Sequence, residues 1–272
     1  MSELIWKEKI NIMDVDVYCE YSFNGKPPII LIHGFLASTY TFNEILPKLT
    51  EHYSVVAIDL PGFGQSEKST TFNYSFKNYT KLVLAIMDYF DFEDAFFVGH
   101  SMGGQIALNV ARHSPSRVKK LVLLCSSGYL KKSNRFLRYS SYLPFFHWYA
   151  YRYFKKKDVR NVMEEVLYDH SLITDEMIEQ YKQPLTDMNF YKALLRLLRH
   201  REGDLSQEAL MEIDTPVLLI WGKEDEVVPL KKGERLHQDL PNSELVVYEQ
   251  AGHLITDERP EEVYEQIVRF AK

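Results

Sequence analysis

The sequence predicts an α/β protein: a mostly parallel sheet with helices on both faces, interrupted late in the chain by a helical insertion. Three observations predict it. Apolar runs of strand length recur along the chain, stretches of helical period separate them, and this alternation stops between Gly128 and about Met211. A run without polar alternation marks a strand buried on both faces, as happens where helices cover both sides of a parallel sheet.

From Glu8 to Tyr21 apolar and polar residues roughly alternate, with Ile10 and Ile12 before Met13-Asp14 and Val15 and Val17 after it. That pattern reads as a hairpin at an exposed edge. Ile29-Ile30-Leu31-Ile32 is the first buried run and ends in His33-Gly34. The figure recurs at Ser54–Ile58, Ala95–Val98, Leu121–Leu124 and Val217–Ile220, and Leu245–Tyr248 reads as a sixth instance. Tyr79–Tyr89 and Met102–Arg112 have helical period. A last helix opens at Pro260, a residue suited to the first helical position, with Val263, Ile267 and Phe270 on one face. The domain assignment follows: residues 1–127 and 212–272 form one core, and residues 128–211 form a helical cap inserted in it.

With 272 residues the chain can hold one large domain with an insertion. An apolar fraction of 46% and a charged fraction of 26% are ordinary for a soluble globular protein. The net charge of -6 gives no general electrostatic drive toward nucleic acid. Cys19 and Cys125 are the only cysteines and have no ligand or redox spacing, which argues against disulfides and structural zinc and for a reducing compartment. The opening Met1-Ser2-Glu3-Leu4-Ile5-Trp6-Lys7-Glu8 has no apolar leader core, and no stretch of ~18 residues is apolar enough to span a membrane. A cytoplasmic protein is the expectation.

The strongest chemical signal is Gly99-His100-Ser101-Met102-Gly103. It joins an apolar strand to a helix rich in small residues, Gly103, Gly104, Ala107 and Ala111. A serine on such a turn stands clear of the sheet, and the flanking glycines permit a cramped backbone and close helix packing. With this motif the chain resembles the α/β-hydrolase superfamily, over nearly its whole length. His33-Gly34-Phe35 resembles the family's oxyanion segment, and Asp59-Leu60-Pro61-Gly62-Phe63-Gly64-Gln65-Ser66 resembles the loop after the next strand. Gly222-Lys223-Glu224-Asp225-Glu226-Val227-Val228-Pro229 is similar to its acid loop and Ala251-Gly252-His253 to its histidine loop. The order serine, aspartate, histidine is also the family's. The resemblance implies a triad of Ser101, Asp225 and His253, with no cofactor and no metal.

Each role has its own physical need. A serine hydroxyl is a weak nucleophile near neutral pH, so an imidazole must take its proton as it attacks an ester carbonyl; His253 is the candidate. The imidazole must present the right nitrogen and bear a transient charge, which a buried carboxylate stabilises; Asp225 is the candidate. Charge growing on the carbonyl oxygen needs preorganised donors, and removing one typically costs about 3 kcal/mol of activation free energy. The backbone N–H groups of Phe35 and Met102 are the candidates. Glu224 and Glu226 flank Asp225 and stay open as alternatives, and His253 is singled out from nine histidines by its place after the last strand. His33, His100 and Asp59 read as structural, with His33 holding the oxyanion loop. Cys125 reads as a small buried hydrophobe.

A serine at this turn argues against epoxide opening and halide displacement, which need a carboxylate nucleophile, and for an acyl-enzyme. The expected activity is hydrolysis of a small-molecule carboxylic ester with an apolar, lipid-like acyl group. Carbon–carbon bond hydrolysis next to a ketone, acyl transfer, and a triad-retaining ligand receptor or signalling protein remain as alternatives. Activity is expected to fall on acidification, because a protonated His253 cannot accept a proton from Ser101. The oligomeric state is open, with a monomer as the default.

Between Lys131 and Arg160 nine lysines and arginines stand against one acid, Asp158, around the aromatic run Tyr142–Phe154. Two readings compete. In one, the aromatics pack the cap onto the core while the basic residues are solvated or pair with Glu164, Glu165 and Asp169. In the other, the segment forms an apolar acyl pocket and makes weak peripheral contact with an anionic membrane. The helix around Tyr191–Arg199 reads as a pocket roof with solvated arginines.

Overall fold

Eight strands form a single sheet in the order β1-β2-β4-β3-β5-β6-β7-β8 in the computed structural model, which describes residues 4–272. Met1, Ser2 and Glu3, where the segment without a leader core begins, lie outside the described residues. β1 (Trp6–Ile12) and β2 (Val15–Ser22) make the expected hairpin at one edge. Its turn residues Met13 and Asp14 have φ of 54° and 60°, the left-handed geometry that a two-residue turn needs to match the twist of its strands. β2 pairs antiparallel with β4. All later pairings are parallel.

β3 (Pro28–Ile32), β4 (Ser54–Ile58), β5 (Ala95–His100), β6 (Val118–Leu124) and β7 (Val217–Gly222) contain the five apolar runs. β4, β5 and β7 are buried at every position. β8 (Ser243–Tyr248) is different: it is only half-buried, with Glu244 and Val247 exposed. The sixth run is therefore an edge strand, not one buried on both faces, because no strand lies outside it.

Helix α1 (Phe76–Tyr89) begins three residues earlier than its apolar period, where the Ser75 hydroxyl accepts the Asn78 N–H and caps it. α2 (Met102–His113) follows β5. Between β6 and β7 the chain is helical with no strand among the described residues: α3 (Arg135–Ser140), α4 (Phe146–Lys155), α5 (Val159–Val166), α6 (Asp175–Lys182), α7 (Met188–His200) and α8 (Gln207–Met211). α9 (Leu230–Asp239) and α10 (Pro260–Ala271) complete the chain. Among the described residues no helix is long and apolar enough to cross a membrane.

The helical segment is tied to the core by packing and by Arg196, and is braced internally by Arg199. Phe190, Tyr191 and Leu197 of α7 join the main core, whereas Met163, Leu167, Ile173 and Met177 form a small second core with Leu254. Arg196 donates to the carbonyls of Thr71 and Phe72, both at 3.0 Å, and Arg199 donates to the hydroxyl and the carbonyl of Ser141. These arginines are thus not merely solvated; their planar, multiple donors satisfy loop carbonyls that would otherwise lack partners.

The strand order fixes where a site can form. From β3 the chain passes to β4 on one side, while β5 lies on the other side of β3. The loops leaving the carboxyl ends of β3 and β5 diverge, and a crevice opens between them.

Candidate active site

Ser101 sits at that crevice, on the turn from β5 into α2, with φ of 51° and ψ of -116°. Such a φ is strained for a residue with a side chain, so surrounding contacts must hold it. They are backbone bonds: Ser101 N–H donates to the Leu124 carbonyl at 3.0 Å, and its own carbonyl accepts from Gly104 and Ser127, each at 3.0 Å. The glycines have separate steric reasons. A Cβ on Gly103 would lie 2.1 Å from the Ile32 carbonyl oxygen, and one on Gly99 would lie 2.6 Å from that of Gly103. Helix α2 can approach the sheet this closely only where Cβ atoms are missing.

Asp225 follows β7 and His253 follows β8, and the fold brings them together. His253 Nδ1 donates to Asp225 Oδ2 at 2.8 Å, with both residues buried. The other Asp225 oxygen accepts the N–H groups of Val227 and Val228 at 2.9 and 2.8 Å. Glu224 instead accepts the Ala251 N–H, and Glu226 is exposed, so Asp225 is the acid of this loop that reaches the imidazole. With Nδ1 committed to Asp225, Nε2 is the ring nitrogen left to take a proton. Ser101 is linked to His253 through its neighbour: His100 Nε2 donates to the His253 carbonyl at 2.9 Å, and the two rings are 4.8 Å apart. Among the described residues no hydrogen bond joins the Ser101 hydroxyl to His253, a contact that commonly tightens only when substrate docks.

The loop His33-Gly34-Phe35 after β3 lies against the serine. A Cβ on Gly34 would lie 2.9 Å from that of Ser101, so only glycine lets the loop after β3 come this near. Met102 is the first residue of α2, and its N–H is one of those a helix leaves without an internal acceptor. Phe35 is exposed at the crevice, next to Gly34. His33 accepts the Leu60 N–H on Nε2 at 2.9 Å and donates from Nδ1 to the Gly34 carbonyl at 2.7 Å. Burial lowers its pKa to about 4 and lowers that of His100 to about 3, so both are neutral scaffolding at neutral pH. Asp59 bridges two loops by accepting the N–H groups of Thr39 and Gln65, both at 2.6 Å; burial raises its pKa to about 6 against those bonds.

Two neighbours of the site escaped sequence reasoning. Cys125 is the small buried residue expected, in the main core, but its place was not legible: its sulfur is 3.7 Å from the Gly252 carbonyl, and ligand-type atoms of Cys125, Asp225 and His253 lie within 4.8 Å of one another. A metal ion there would have to part the Asp225–His253 hydrogen bond, so the thiol is better described as packing behind that pair. Glu258, in the turn after His253, accepts backbone N–H groups from Gly252, Tyr168 and Asp169. Its only sequence signal was an acid shortly after the histidine.

Two cavities border this region. The larger, about 600 Å3, is polar, lined by Tyr18, Glu20, Thr39, Asp59, Gln65 and Glu179, and none of Ser101, Asp225 or His253 lines it. The smaller, about 140 Å3, is mostly apolar and lies between Leu36, Ala37 and Phe63 on one side and Phe154, Met163 and Leu185 on the other; Ser101, Asp225 and His253 do not line it either.

The fold and this loop arrangement are those of a hydrolase built on a mostly parallel sheet. A family model described as alpha/beta hydrolase fold matches residues 27–260, and the chain belongs to that family. It is 46% identical over 265 residues to the uncharacterized hydrolase YugF of Bacillus subtilis (strain 168), covering 97% of each chain. It is 27% identical to monoacylglycerol lipase ABHD6 of Mus musculus, over 92% of this chain and 78% of that one. Among solved structures, the meta-cleavage product hydrolase CumD from Pseudomonas fluorescens IP01 is similar with a TM-score of 0.81 at 27% identity, covering 97% of this chain and 96% of that one.

Proposed function

We propose that this protein is a serine esterase that cleaves carboxylic esters with an apolar acyl group, with residues 128–211 acting as a cap over the site. The observation that carries the chemistry is the buried Asp225–His253 hydrogen bond, with a strained Ser101 on the turn whose preceding residue, His100, bonds the His253 carbonyl. His253 Nε2 takes the Ser101 proton as Oγ attacks the ester carbonyl, and the Phe35 and Met102 N–H groups receive the oxyanion. The imidazolium, held by Asp225, then protonates the departing alcohol. Water activated by His253 releases the acid from Ser101.

The acyl preference rests on the smaller, mostly apolar cavity, whose lining comes from both the oxyanion loop and the helical segment. The similarity to a monoacylglycerol lipase fits such a substrate. The likeness to a meta-cleavage product hydrolase favours a second reading, carbon–carbon bond hydrolysis through the same residues. The free, buried cysteines fit a reducing, cytoplasmic setting.

Release of p-nitrophenol from esters of rising chain length, by wild type and Ser101→Ala in parallel, tests this function. Turnover that peaks at one acyl length and vanishes in the variant is the expected result. A folded wild type that leaves every ester intact but cleaves a 2-hydroxy-6-oxo-dienoate would replace the first reading by the second.

A further inference from the structure

Helices α3 and α4 carry a second surface, apart from Ser101. The inner side of α4 is packed: Tyr151 and Phe154 stand against Tyr191 with ring centroids 5.4 and 6.2 Å apart, and Ala150 is buried. Its outer side, reached by steps of three and four residues, presents Phe145, Trp148, Tyr149, Arg152, Tyr153 and Lys156, all exposed. The preceding helix adds Phe136, which with Phe145 is 80% and 73% exposed. This segment is anchored and not frayed, since buried Ser141 is held by Arg199, whose guanidinium also lies 4.3 Å from the Tyr142 ring centroid. The aromatic run is therefore split: its inner positions pack onto α7, and its outer positions face water.

The charges follow the same pattern. Of the nine cations between Lys131 and Arg160, only Arg160 reaches a carboxylate within ion-pair distance among the described residues, Asp175 at 3.5 Å. None pairs with Glu164, Glu165 or Asp169 there. Lys155 and Lys157 rest over the rings of Tyr151 and Tyr153, at 5.4 and 5.7 Å from the centroids. An acidic protein thus shows one face on which exposed rings alternate with uncompensated positive charge.

We propose that the outer face of α4, with α3, docks on an anionic lipid bilayer. Tyrosine, tryptophan and phenylalanine rings gain from the headgroup boundary, where their apolar bodies leave water. The unpaired lysines and arginines lie against lipid phosphates, an attraction that adds per charge and weakens with salt. A nonpolar partner would account for the rings alone; the local reversal of charge selects an anionic surface. The inference is independent of the ester reading, because its test measures binding and not turnover.

The test is flotation with vesicles of equal parts phosphatidylglycerol and phosphatidylcholine, against phosphatidylcholine alone, over a salt series. Two double variants accompany the wild type, Phe136→Ser with Phe145→Ser and Arg152→Glu with Lys156→Glu; all four side chains are exposed, so the fold and p-nitrophenyl ester turnover should persist. Wild type is expected to float with the anionic vesicles at low salt, and each variant to bind at least about tenfold more weakly. Absence of binding to anionic vesicles at low salt, equal binding to phosphatidylcholine, or undiminished binding by both variants would overturn the proposal. So would a wild-type dimer that both variants dissolve and that ignores vesicles.

Discussion

Glu258 accepts the backbone N–H of Gly252 at 2.6 Å, and its other oxygen accepts those of Tyr168 and Asp169 at 2.8 and 2.9 Å. One residue on, the His253 N–H donates to the Val166 carbonyl at 2.8 Å. The loop bearing the proposed base is thereby clasped to the end of α5, so the helical segment helps to hold the imidazole. Replacing Glu258 by alanine leaves three backbone donors without their acceptor; that of Gly252 is buried, and a buried unsatisfied group costs about 1–3 kcal/mol. We expect Glu258→Ala to lose about 1–3 kcal/mol of stability in urea melts and to lower kcat far more than it changes KM. Wild-type stability and kcat in this variant would remove Glu258 from the positioning of His253.

Asp225 divides its oxygens between His253 and the N–H groups of Val227 and Val228. An asparagine cannot accept on both sides: its NH2 must face either the imidazole Nδ1–H or the two backbone donors. Asp225→Asn should therefore lower kcat on the order of 10⁴-fold by favouring the wrong tautomer. Glu226→Gln, a change at an exposed neighbour, should stay within about twofold of wild type, since surface changes away from such networks are nearly neutral. Comparable losses in the two variants would contradict the choice of Asp225.

Much of this could be read from the chain because the signals are local. The hairpin turn at Met13-Asp14, the apolar runs, and the glycines around Ser101 each state a local requirement in adjacent residues. Chain order then singled out Asp225 and His253. What escaped depends on contacts between distant segments. Leu245–Tyr248 looks like a central strand, because an apolar run does not say which strand ends the sheet. Glu258 works through backbone donors some ninety residues earlier in the chain, at Tyr168 and Asp169. Cys125 gained its place behind Asp225 only when β6 paired with β7. The aromatic run was ambiguous for the same reason: composition cannot say which side of α4 meets α7.

Two glycines offer a graded steric test. A Cβ on Gly103 would meet a backbone oxygen of β3 at 2.1 Å, and a paired strand cannot withdraw. A Cβ on Gly128 would meet only the Leu236 side chain, at 3.2 Å, which can shift by a few tenths of an ångström. Gly103→Ala is expected to cost about 3 kcal/mol and to abolish turnover by displacing Ser101, while Gly128→Ala should cost about 1 kcal/mol or less. Thermal melts with ester assays check the order, and the reverse ranking would show that α2 approaches the sheet less closely than this.

Cys19 and Cys125 are both buried and free, and burial raises the pKa of each thiol above its ordinary value. Disulfide exchange needs an accessible thiolate. A chromogenic disulfide reagent should therefore find no thiol in the native protein over minutes and both after unfolding in guanidinium. Fast reaction of one native thiol, with loss of activity, would show that the region behind Asp225 opens on that timescale.

The buried titratable groups give stability a pH dependence made of opposing parts. His33 and His100 titrate near 4 and 3 when folded against 6.5 when free, so below pH 6.5 the unfolded chain takes up protons that the folded one refuses. Their contribution is complete above pH 6.5 and is lost progressively as the pH falls toward 4 and 3. Asp59 acts in the opposite sense. Its folded pKa of about 6 exceeds the free value of 3.8, so between these pH values the folded chain holds a proton that the unfolded chain has released, and acidification favours folding. Asp59→Asn removes this compensation and leaves the histidines. Between pH 6.5 and 4 the variant should lose stability more steeply than wild type, by on the order of 3 kcal/mol in urea melts. An equal or shallower loss would mean that Asp59 is already ionised throughout that range and that its bonds to Thr39 and Gln65 outweigh its burial.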